Sequence, residues 1–301
     1  MDRLKDLLAI IDKDRLYIDE LMKKHTTFRV GGPADFYAVP ANIEEIKGLV
    51  EYCLRTDFPY YIIGNGSNLL VGDKGFRGLI IQVGKNMSDI VVEGNTVTTY
   101  AGALLSRVAK AVLDRELTGF EFAAGIPGTV GGAVRMNAGA YGGEMKDILV
   151  SADVLDNEGN VITLSNEELK LSYRSSVVSE KGYVVLKAVY ELKEGNKDEI
   201  QAVMDDLKNR RVTKQPLEYP SAGSTFKRPE GYFAGKLIED AGLRGYAVGG
   251  AQVSEKHCGF VVNKGDATAK DIVDLMDDVI NKVKEQFGVT LEPEVRKIGE
   301  F

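Results

Sequence analysis

A glycine- and asparagine-rich stretch, Gly64-Asn65-Gly66-Ser67-Asn68, carries the residue types best suited to binding an anion. Glycine and asparagine tolerate positive φ, so successive backbone N–H groups of such a stretch turn toward one point. A concave array of N–H groups binds phosphate. A plain Gly-Asn turn between two strands explains the same residues without a ligand, and the stretch alone leaves both interpretations open.

The residues that flank this stretch argue against a Rossmann nucleotide site. Leu69 stands where the dinucleotide fingerprint requires its third glycine, and that fingerprint also requires a helix directly afterwards. The residues up to Val83 are instead β-branched and interrupted by glycines, which favours strands, and Tyr60–Ile63 before the stretch favours a strand too. We therefore interpret it as a phosphate-binding turn of another kind.

A second glycine-rich passage covers residues 123–143, in which seven of twenty-one residues are glycine. It lacks the serines and lysines of a flexible linker, so its backbone is expected to pack tightly against something flat or charged. Close packing of a helix on a sheet explains the same glycines and remains an alternative. Two backbone cradles together suit a large nucleotide cofactor whose own ring does the difficult chemistry.

Composition and the rest of the chain exclude several other classes of site. A net charge of −7 argues against general nucleic-acid binding. Only two histidines are present, His25 and His257, and neither has ligands at metal-binding spacing; a nucleophile elbow and a P-loop are also absent. Cys53 and Cys258 are expected to be buried thiols. The first 17 residues lack the pattern of a secretion signal, and no apolar run would span a bilayer, so we expect a cytoplasmic protein without membrane contact.

Hydrophobic periodicity and turn residues predict an α+β chain of 301 residues in several domains. Asn42 and Glu45 form a predicted capping box at the start of one helix. The predicted helices cover 4–22, 43–54, 102–117, 197–211, 233–241 and 269–287. The predicted strands cover 25–30, 35–40, 60–63, 90–93, 96–100, 150–164 and 183–192, with a turn at residues 156–159, and 259–263.

Seven motifs follow one another along the chain in a recognisable order. They are Thr26-Thr-Phe-Arg-Val-Gly-Gly-Pro-Ala34, Gly64-Asn-Gly-Ser-Asn-Leu-Leu-Val71, Gly125-Ile-Pro-Gly-Thr-Val-Gly-Gly132, Asn137-Ala-Gly-Ala-Tyr-Gly142, Tyr173-Arg174, Gly223-Ser-Thr-Phe226 and Leu291-Glu-Pro-Glu-Val-Arg296. In this order the chain resembles the UDP-N-acetylenolpyruvoylglucosamine reductase family of bacterial peptidoglycan synthesis. The resemblance covers nearly the whole chain.

The resemblance implies a PCMH-type FAD-binding fold with two α+β subdomains and a third, smaller α+β substrate-binding domain. We expect the first FAD-binding subdomain at 1–82, joined by the tail 293–301, the second at 83–197, and the substrate domain at 205–292. NADPH would reduce FAD, which would then reduce the enolpyruvyl group of UDP-N-acetylglucosamine enolpyruvate. The implied FAD-binding residues are Gly64, Asn65, Gly66, Ser67, Asn68, Leu69, Gly125, Ile126, Pro127, Gly128, Thr129, Gly131, Gly132, Asn137, Ala138, Gly139 and Gly142.

The same resemblance implies catalytic roles for Arg174, Ser224 and Glu294. Ser224 would carry the proton, while Arg174 and Glu294 would stabilise the enol or enolate; whether Glu294 orients or protonates that centre is open. Taken alone, each of the three also fits an ordinary turn, ion pair or cap.

Four further residues are implied to bind substrate: Tyr173, Lys227, Arg228 and Gln252. A solvated basic pair fits Lys227 and Arg228 equally, and a packing role fits Tyr173. Gln252 is assigned to the diphosphate or the sugar.

Longer members of the family carry an extra loop with a substrate-capping tyrosine. The interval from Tyr173 to Ser224 is too short for this loop, so this chain resembles the shorter subtype.

Two rival functions stay open on the sequence alone. One is another FAD oxidoreductase of the same fold, such as a sugar or hydroxy-acid oxidase, although residues 60–72 lack the His or Cys that tethers flavin in many such relatives. The other is a nucleotide-binding module without catalysis. We expect a monomer.

Overall fold

The computed structural model describes residues 3–301, which form two compact units. The first unit consists of residues up to Ile18, Phe36–Asn65 and Gly78–Arg210. The second consists of Asp19–Asp35, Gly66–Arg77 and Arg211–Phe301. Each unit is therefore assembled from three separate segments of the chain.

Helices and strands alternate irregularly along residues 3–301, as expected for an α+β protein. The helices are α1 (Arg3–Leu8), α2 (Ile43–Thr56), α3 (Leu105–Leu113), α4 (Val130–Arg135), α5 (Asn166–Leu169), α6 (Val177–Lys181), α7 (Lys197–Lys214), α8 (Ala234–Asp240) and α9 (Ala269–Phe287). The strands are β1 (Leu16–Leu21), β2 (Pro33–Ala38), β3 (Tyr60–Ile63), β4 (Leu69–Val71), β5 (Phe76–Gln82), β6 (Ile90–Glu93), β7 (Thr96–Tyr100), β8 (Leu117–Thr118), β9 (Gly139–Ala140), β10 (Gly143–Glu144), β11 (Leu149–Leu155), β12 (Val161–Ser165), β13 (Val184–Glu191), β14 (Lys193–Glu194), β15 (Ala247–Val248), β16 (Ala251–Val253), β17 (Val261–Asn263) and β18 (Arg296–Ile298).

The first unit is built around a five-stranded antiparallel sheet in the order β12-β11-β13-β7-β6. Its central strand β13 is rich in β-branched and apolar residues, most of which are buried, as a strand covered on both faces requires. Helix α4 packs on β13 and carries the second glycine-rich passage. Strand β3, which leads into Gly64, pairs in parallel with residues 79–82 of β5.

The second unit has its own apolar core between a three-stranded antiparallel sheet, β15-β16-β17, and helix α9. Phe28 and Leu70, both fully buried, come from the earlier segments and belong to the same core. The Asp73 carboxylate accepts hydrogen bonds from the N–H groups of Ala269 (2.7 Å) and Lys270 (3.0 Å), which lie in the first turn of α9. The early segments are thus integral to this unit.

Most predicted elements are confirmed, and several match within a residue or two. The strand at 60–63, the hairpin at 90–93 and 96–100, and the helix at 269–287 agree with the structure residue for residue. At the start of α2, Asn42 accepts the N–H of Glu45 as predicted, but the Glu45 carboxylate accepts the N–H of Ala41 (2.8 Å), so only half of the capping box forms.

Three predictions were wrong or too broad. The predicted helix over 4–22 is α1 alone, and β1 follows it: Asp19 has φ +53°, which an α-helix does not contain. Residues 25–30 form no strand, because Arg29 has φ +56° and its N–H bonds back to Thr26 in a turn. The helix predicted over 102–117 is shorter at both ends, as α3.

Candidate active site

The two glycine-rich stretches touch each other in the first unit. An ideal Cβ on Gly64 would lie 2.1 Å from Oγ1 of the buried Thr129, so only glycine fits there without a shift. The Asn65 side chain donates a hydrogen bond from Nδ2 to the carbonyl of Pro127 (2.8 Å). Sequence analysis assigned both stretches to one ligand but gave no sign of this direct contact.

The remaining residues of the first stretch, 66–68, belong to the second unit and are held by contacts within it. Gly66 has φ +60°, and a Cβ there would lie 2.0 Å from the carbonyl oxygen of His25. Asn68 donates from Nδ2 to the carbonyl of Glu294 (3.2 Å), and its own carbonyl accepts the N–H of Arg296 (3.0 Å). Ser67 is half-buried, and the following Leu69 has its side chain in the interior, which leaves only its backbone to contact a ligand.

The second passage combines tight packing with open space. Gly131 donates its N–H to Ala101 (2.8 Å), and an added Cβ would lie 3.1 Å from Ala101 Cβ, so close packing explains this glycine. The exposed Gly132 differs, because its ideal Cβ meets nothing closer than Thr129 Oγ1 at 3.8 Å. Gly125 and Pro127 are also exposed, whereas Ile126 and Gly128 are half-buried.

The next motif turns back on itself through β9 and β10. Tyr141 and Gly142 both have positive φ, +54° and +94°, as a tight two-residue hairpin turn requires. Gly139 lies where an added Cβ would come within 2.8 Å of the Gly143 carbonyl, and the half-buried Ala138 donates its N–H to Ala133 (2.8 Å). Asn137 is fully buried, and protein groups occupy its side-chain amide.

Arg174 lies in the first unit, in the turn that joins Ser172 to Ser175. The two serines exchange N–H to carbonyl hydrogen bonds of 3.0 and 3.1 Å, with Tyr173 and Arg174 between them. The guanidinium carbon lies 5.0 Å from the centroid of the half-exposed Tyr173 ring, a cation–π contact. This contact brings the ring and the guanidinium of neighbouring residues together.

Ser224 and Glu294 lie in paired segments of the second unit. The N–H of Glu294 donates to the carbonyl of Thr225 (2.8 Å), and Phe226 forms a β-bridge with Pro293. Thr225 is fully buried and Ser224 beside it is exposed, so the segment is anchored while the serine hydroxyl faces outward. The segments that carry Ser224 and Glu294, far apart in the sequence, thus meet at the backbone.

A histidine that the sequence analysis considered only as a metal ligand supports this segment. Thr225 donates its N–H to the carbonyl of Gly259 (2.8 Å), and Gly259 donates its own N–H to His257 Nδ1 (3.0 Å). Burial lowers the pKa of His257 and so favours the neutral ring. The bond from Gly259 requires that the unprotonated nitrogen of this ring be Nδ1. No spacing pattern in the sequence signals this bond.

The residues predicted to bind substrate in the second unit have protein partners. Lys227 donates from Nζ to the Glu292 carboxylate. The Arg228 guanidinium lies over the exposed Phe233 ring, 4.0 Å from its centroid. Gln252 is half-buried in β16 and donates from Nε2 to the carbonyl of Gly245 (3.1 Å).

Comparisons with known proteins decide the family. The model of the UDP-N-acetylenolpyruvoylglucosamine reductase C-terminal domain matches residues 215–298, and that of an FAD-binding domain matches residues 34–165. The UDP-N-acetylenolpyruvoylglucosamine reductase of Agathobacter rectalis is 60% identical over 94% of this chain and 94% of its own length. The chain belongs to this reductase family. The corresponding protein of Clostridioides difficile is 55% identical over 98% of this chain and 97% of its own length.

A solved structure agrees with this assignment. The UDP-N-acetylenolpyruvylglucosamine reductase of Thermus caldophilus covers 94% of this chain and 100% of its own, with a TM-score of 0.82 and 36% identity. A glucose dehydrogenase aligns at a TM-score of 0.51 with 16% identity over 71% of this chain and 50% of its own, which is a likeness of fold alone. The predicted fold class, α+β with a PCMH-type FAD-binding fold, is confirmed.

The chain is accordingly an FAD-dependent oxidoreductase with NADPH as reductant, as predicted. Two features of residues 3–301 fit the cofactor. Space stands open beside Gly132, and the buried Thr27 Oγ1 has no hydrogen-bond partner among these residues, although the Thr27 N–H donates to Gly66. A buried donor without an acceptor is costly, and a phosphate oxygen is an acceptor of the kind it lacks. The individual site residues and the three-domain division stay predictions.

Proposed function

We propose that Arg174, Ser224 and Glu294 are the catalytic residues of the family's reaction in this chain. As a member of the family, the protein reduces the enolpyruvyl group of UDP-N-acetylglucosamine enolpyruvate to the lactyl ether and so gives UDP-N-acetylmuramate for peptidoglycan synthesis. Bound FAD supplies hydride chemistry, since flavin accepts hydride from NADPH and delivers it to the double bond. The rest of the mechanism concerns what these three side chains do.

Binding of FAD is assigned to the two contacting glycine-rich stretches. The Gly64–Asn68 backbone would hold the pyrophosphate, because its N–H groups are the kind of cradle that oxyanions occupy. Residues 125–132 and 137–142 would hold the ring, Asn137 through its backbone, because protein groups occupy its side-chain amide. The contacts of Gly64 with Thr129 and of Asn65 with Pro127 support a single cofactor on both stretches, since they bring the stretches together.

Arg174 stabilises the charge that grows during reduction. Hydride addition at the β-carbon of the enolpyruvyl ether places negative charge on the α-carbon and its carboxylate. A guanidinium that is already positioned near that carboxylate lowers the activation barrier of the reduction, because it does not have to reorient when the charge appears. The ring of Tyr173 supports this role by restricting the guanidinium, and the same ring is assigned to contact substrate or nicotinamide.

Ser224 delivers the proton to the α-carbon. A serine hydroxyl is a weak acid in water, but an enolate is a strong base, so a hydroxyl held within hydrogen-bond reach can protonate it. Glu294 orients this hydroxyl or restores its proton. The observation that carries the proposal is the bond from the Glu294 N–H to Thr225, which ties the carboxylate-bearing residue to the serine segment.

Lys227, Arg228 and Gln252 are assigned to the diphosphate and sugar. For Lys227 this requires the ammonium to exchange the Glu292 carboxylate for a phosphate oxygen, a stronger multidentate acceptor. We also propose that the protein works as a monomer in the cytoplasm, where its nucleotide substrates are made available. No helix within residues 3–301 has the length and apolarity needed to cross a bilayer.

The first experiment is the visible absorption spectrum of the purified protein under anaerobic conditions. A flavin band that bleaches with NADPH and returns with UDP-N-acetylglucosamine enolpyruvate is expected, because the two half-reactions follow in that order. A band that bleaches but does not return would mean another acceptor. A protein without a flavin band, even after FAD is added, would contradict the proposal as a whole.

A further inference from the structure

The turn that carries Arg174 needs support from outside itself. Its backbone is closed by the paired bonds of Ser172 and Ser175, and Arg174 has φ +56°. This left-handed region is strained for a residue with a Cβ. A two-residue turn with such a residue holds one conformation only if its flanks are fixed.

Both flanks of the turn are fixed to the same short segment, residues 135–137, at the C-terminal end of α4. Before the turn, the Ser172 carbonyl accepts a hydrogen bond from Asn137 Nδ2 (3.2 Å). After the turn, the fully buried Ser176 donates from Oγ to the carbonyl of Arg135 (2.7 Å). The turn is therefore clamped on each side by residues 135–137.

The Asn137 amide is fully committed to this clamp and its support. Its second Nδ2 bond goes to Glu144 Oε2 (2.6 Å), and its Oδ1 accepts the N–H of Lys146 (2.9 Å). An amide nitrogen has two donor hydrogens, so protein groups use both. The side chain is completely buried. Asn137 thus serves the protein with its side chain, although the family resemblance assigned it to the cofactor.

We propose that Asn137 and Ser176 are positioning residues for Arg174. Together they hold the Tyr173–Arg174 turn in register with α4, so that the guanidinium meets the developing carboxylate charge without first being ordered. Displacement of a catalytic group by about 1 Å costs up to roughly a hundredfold in rate. The inference rests on the proposed catalytic role of Arg174.

The test measures the two half-reactions separately in Asn137→Ala and Ser176→Ala. We expect reoxidation of the reduced flavin by substrate to slow roughly 10- to 100-fold in both variants. Reduction by NADPH should stay close to that of the unmodified protein in Ser176→Ala, because Ser176 is assigned no contact with FAD. The matched control is Asn166→Ala. Asn166 also donates from Nδ2 to two backbone carbonyls, those of Lys146 (2.8 Å) and Leu149, but has no bond to the turn. Its loss should not separate the half-reactions.

A double-variant cycle tests whether the effect passes through Arg174. In an Arg174→Ala background, Ser176→Ala should add nothing to the slowing of reoxidation, because no guanidinium is left to position. Independent, additive effects would overturn the proposal. Equal slowing of both half-reactions in Ser176→Ala would also overturn it, since this would mark a general structural role.

A measurement on the protein without cofactor checks the clamp directly. Hydrogen exchange of the Ser175 N–H, which is bonded inside the turn, should be faster in Asn137→Ala and Ser176→Ala and unchanged in Asn166→Ala. Unchanged exchange in the first two would overturn the proposal. If Asn137→Ala fails to fold, Ser176→Ala carries the same test from the other flank. If Arg174→Ala itself reoxidises normally, the proposed function fails, whatever the clamp does.

Discussion

At the scale of single residues, the proposed chemistry rests on an exposed hydroxyl beside a buried anchor. Ser224 has no burial to hold it, whereas Thr225 has its N–H, its carbonyl and its Oγ1 all engaged, the last by the N–H of Val261 (2.8 Å). Fixing the neighbour restricts the serine backbone and leaves its side chain accessible to a substrate. This is the arrangement expected of a group that must reach a reacting carbon.

Replacement of Ser224 by alanine should separate the two half-reactions. Reduction of the bound flavin by NADPH should be unchanged, because it involves no proton from this residue, and reoxidation by substrate should slow roughly a hundredfold or more. Rapid-mixing absorbance of the flavin measures both. Ser221→Ala, in the same segment, is the control. Unaltered reoxidation in Ser224→Ala would remove the serine from the mechanism.

Alanine at two glycines of the FAD-binding stretches should affect two different properties, the stability of the protein and its affinity for FAD. Gly66→Ala should lower the free energy of unfolding by more than about 1 kcal/mol, because φ is +60° and the His25 carbonyl blocks the methyl group. Gly132→Ala has room within the protein and lies in a helix, so the protein without FAD should keep its stability. Its FAD affinity should fall about tenfold or more, ~1.4 kcal/mol.

Thermal unfolding of the cofactor-free protein and titration with FAD check this pair. Full FAD affinity in Gly132→Ala would mean that the cofactor does not occupy the open space beside it. Full stability in Gly66→Ala would mean that the close approach to His25 relaxes without cost.

At the scale of elements, an ion pair joins the start of α2 to the segment before β1. Arg15 donates from Nη2 to Glu45 Oε1 (2.7 Å), and the same carboxylate accepts the N–H of Ala41. The hydrogen bonds from Arg15 hold the pKa of Glu45 below its ordinary value against the opposing effect of burial. Both side chains are largely buried, with 21% and 15% of their surfaces exposed, so solvent screens the pair only in part.

This pair should make part of the stability dependent on pH. A carboxylate whose pKa is lower in the folded than in the unfolded protein stabilises the fold at neutral pH, and this contribution is lost as pH falls through the folded pKa. Glu45→Gln should therefore lower the free energy of unfolding by about 1–3 kcal/mol at pH 7, and by less at pH 3. Urea unfolding at the two pH values measures the difference.

The control for this prediction is Glu44→Gln, which removes an exposed carboxylate from the same first turn of α2 and so reproduces any effect of helix charge. A loss in Glu45→Gln that is the same at both pH values would contradict the assigned role of the ionised carboxylate.

Elements with strong local signals were predictable from the sequence. The α9 helix has a capping box at Thr268 and Asp271 and a glycine at its C-terminal end, and its predicted limits were correct. The strand β1 near the start of the chain was not predictable, because it forms by pairing with β2. The apolar residues there have helical spacing, which led to the wrong prediction of a helix.

For the site, ordered motifs identified the family and the candidate residues. The contacts that position these residues left no local signal. The bond from Asn68 to Glu294 spans more than two hundred residues, and His257 reaches the serine segment only through Gly259. Such long-range contacts follow from the assembled fold, which a single sequence does not encode as spacing.

At the scale of the whole molecule, neither unit is a continuous stretch of chain. The fragment 211–301 contains α8 and α9 but lacks Phe28 and Leu70, both fully buried in the core of its unit. Loss of one buried phenylalanine alone typically costs about 3–5 kcal/mol, a large part of a domain's stability of about 5–15 kcal/mol.

We therefore expect the isolated fragment 211–301 to remain unfolded. Near-ultraviolet circular dichroism and the dispersion of its amide proton resonances measure this, with the full chain as the control. A fragment with fixed tertiary structure and a cooperative thermal transition would show that the earlier segments are dispensable, contrary to their place in the core.

The discontinuity of the second unit also has a consequence during synthesis on the ribosome. Residues 19–35 and 66–77 leave the ribosome before the third segment of their unit, residues 211–301. Most of their apolar partners lie in that third segment. At about 5–20 residues per second, the interval from residue 77 to residue 301 lasts roughly 10–45 s. Throughout that interval Phe28 and Leu70 lack most of their final neighbours. The nascent chain therefore exposes apolar surface that chaperones can bind until its last helix emerges.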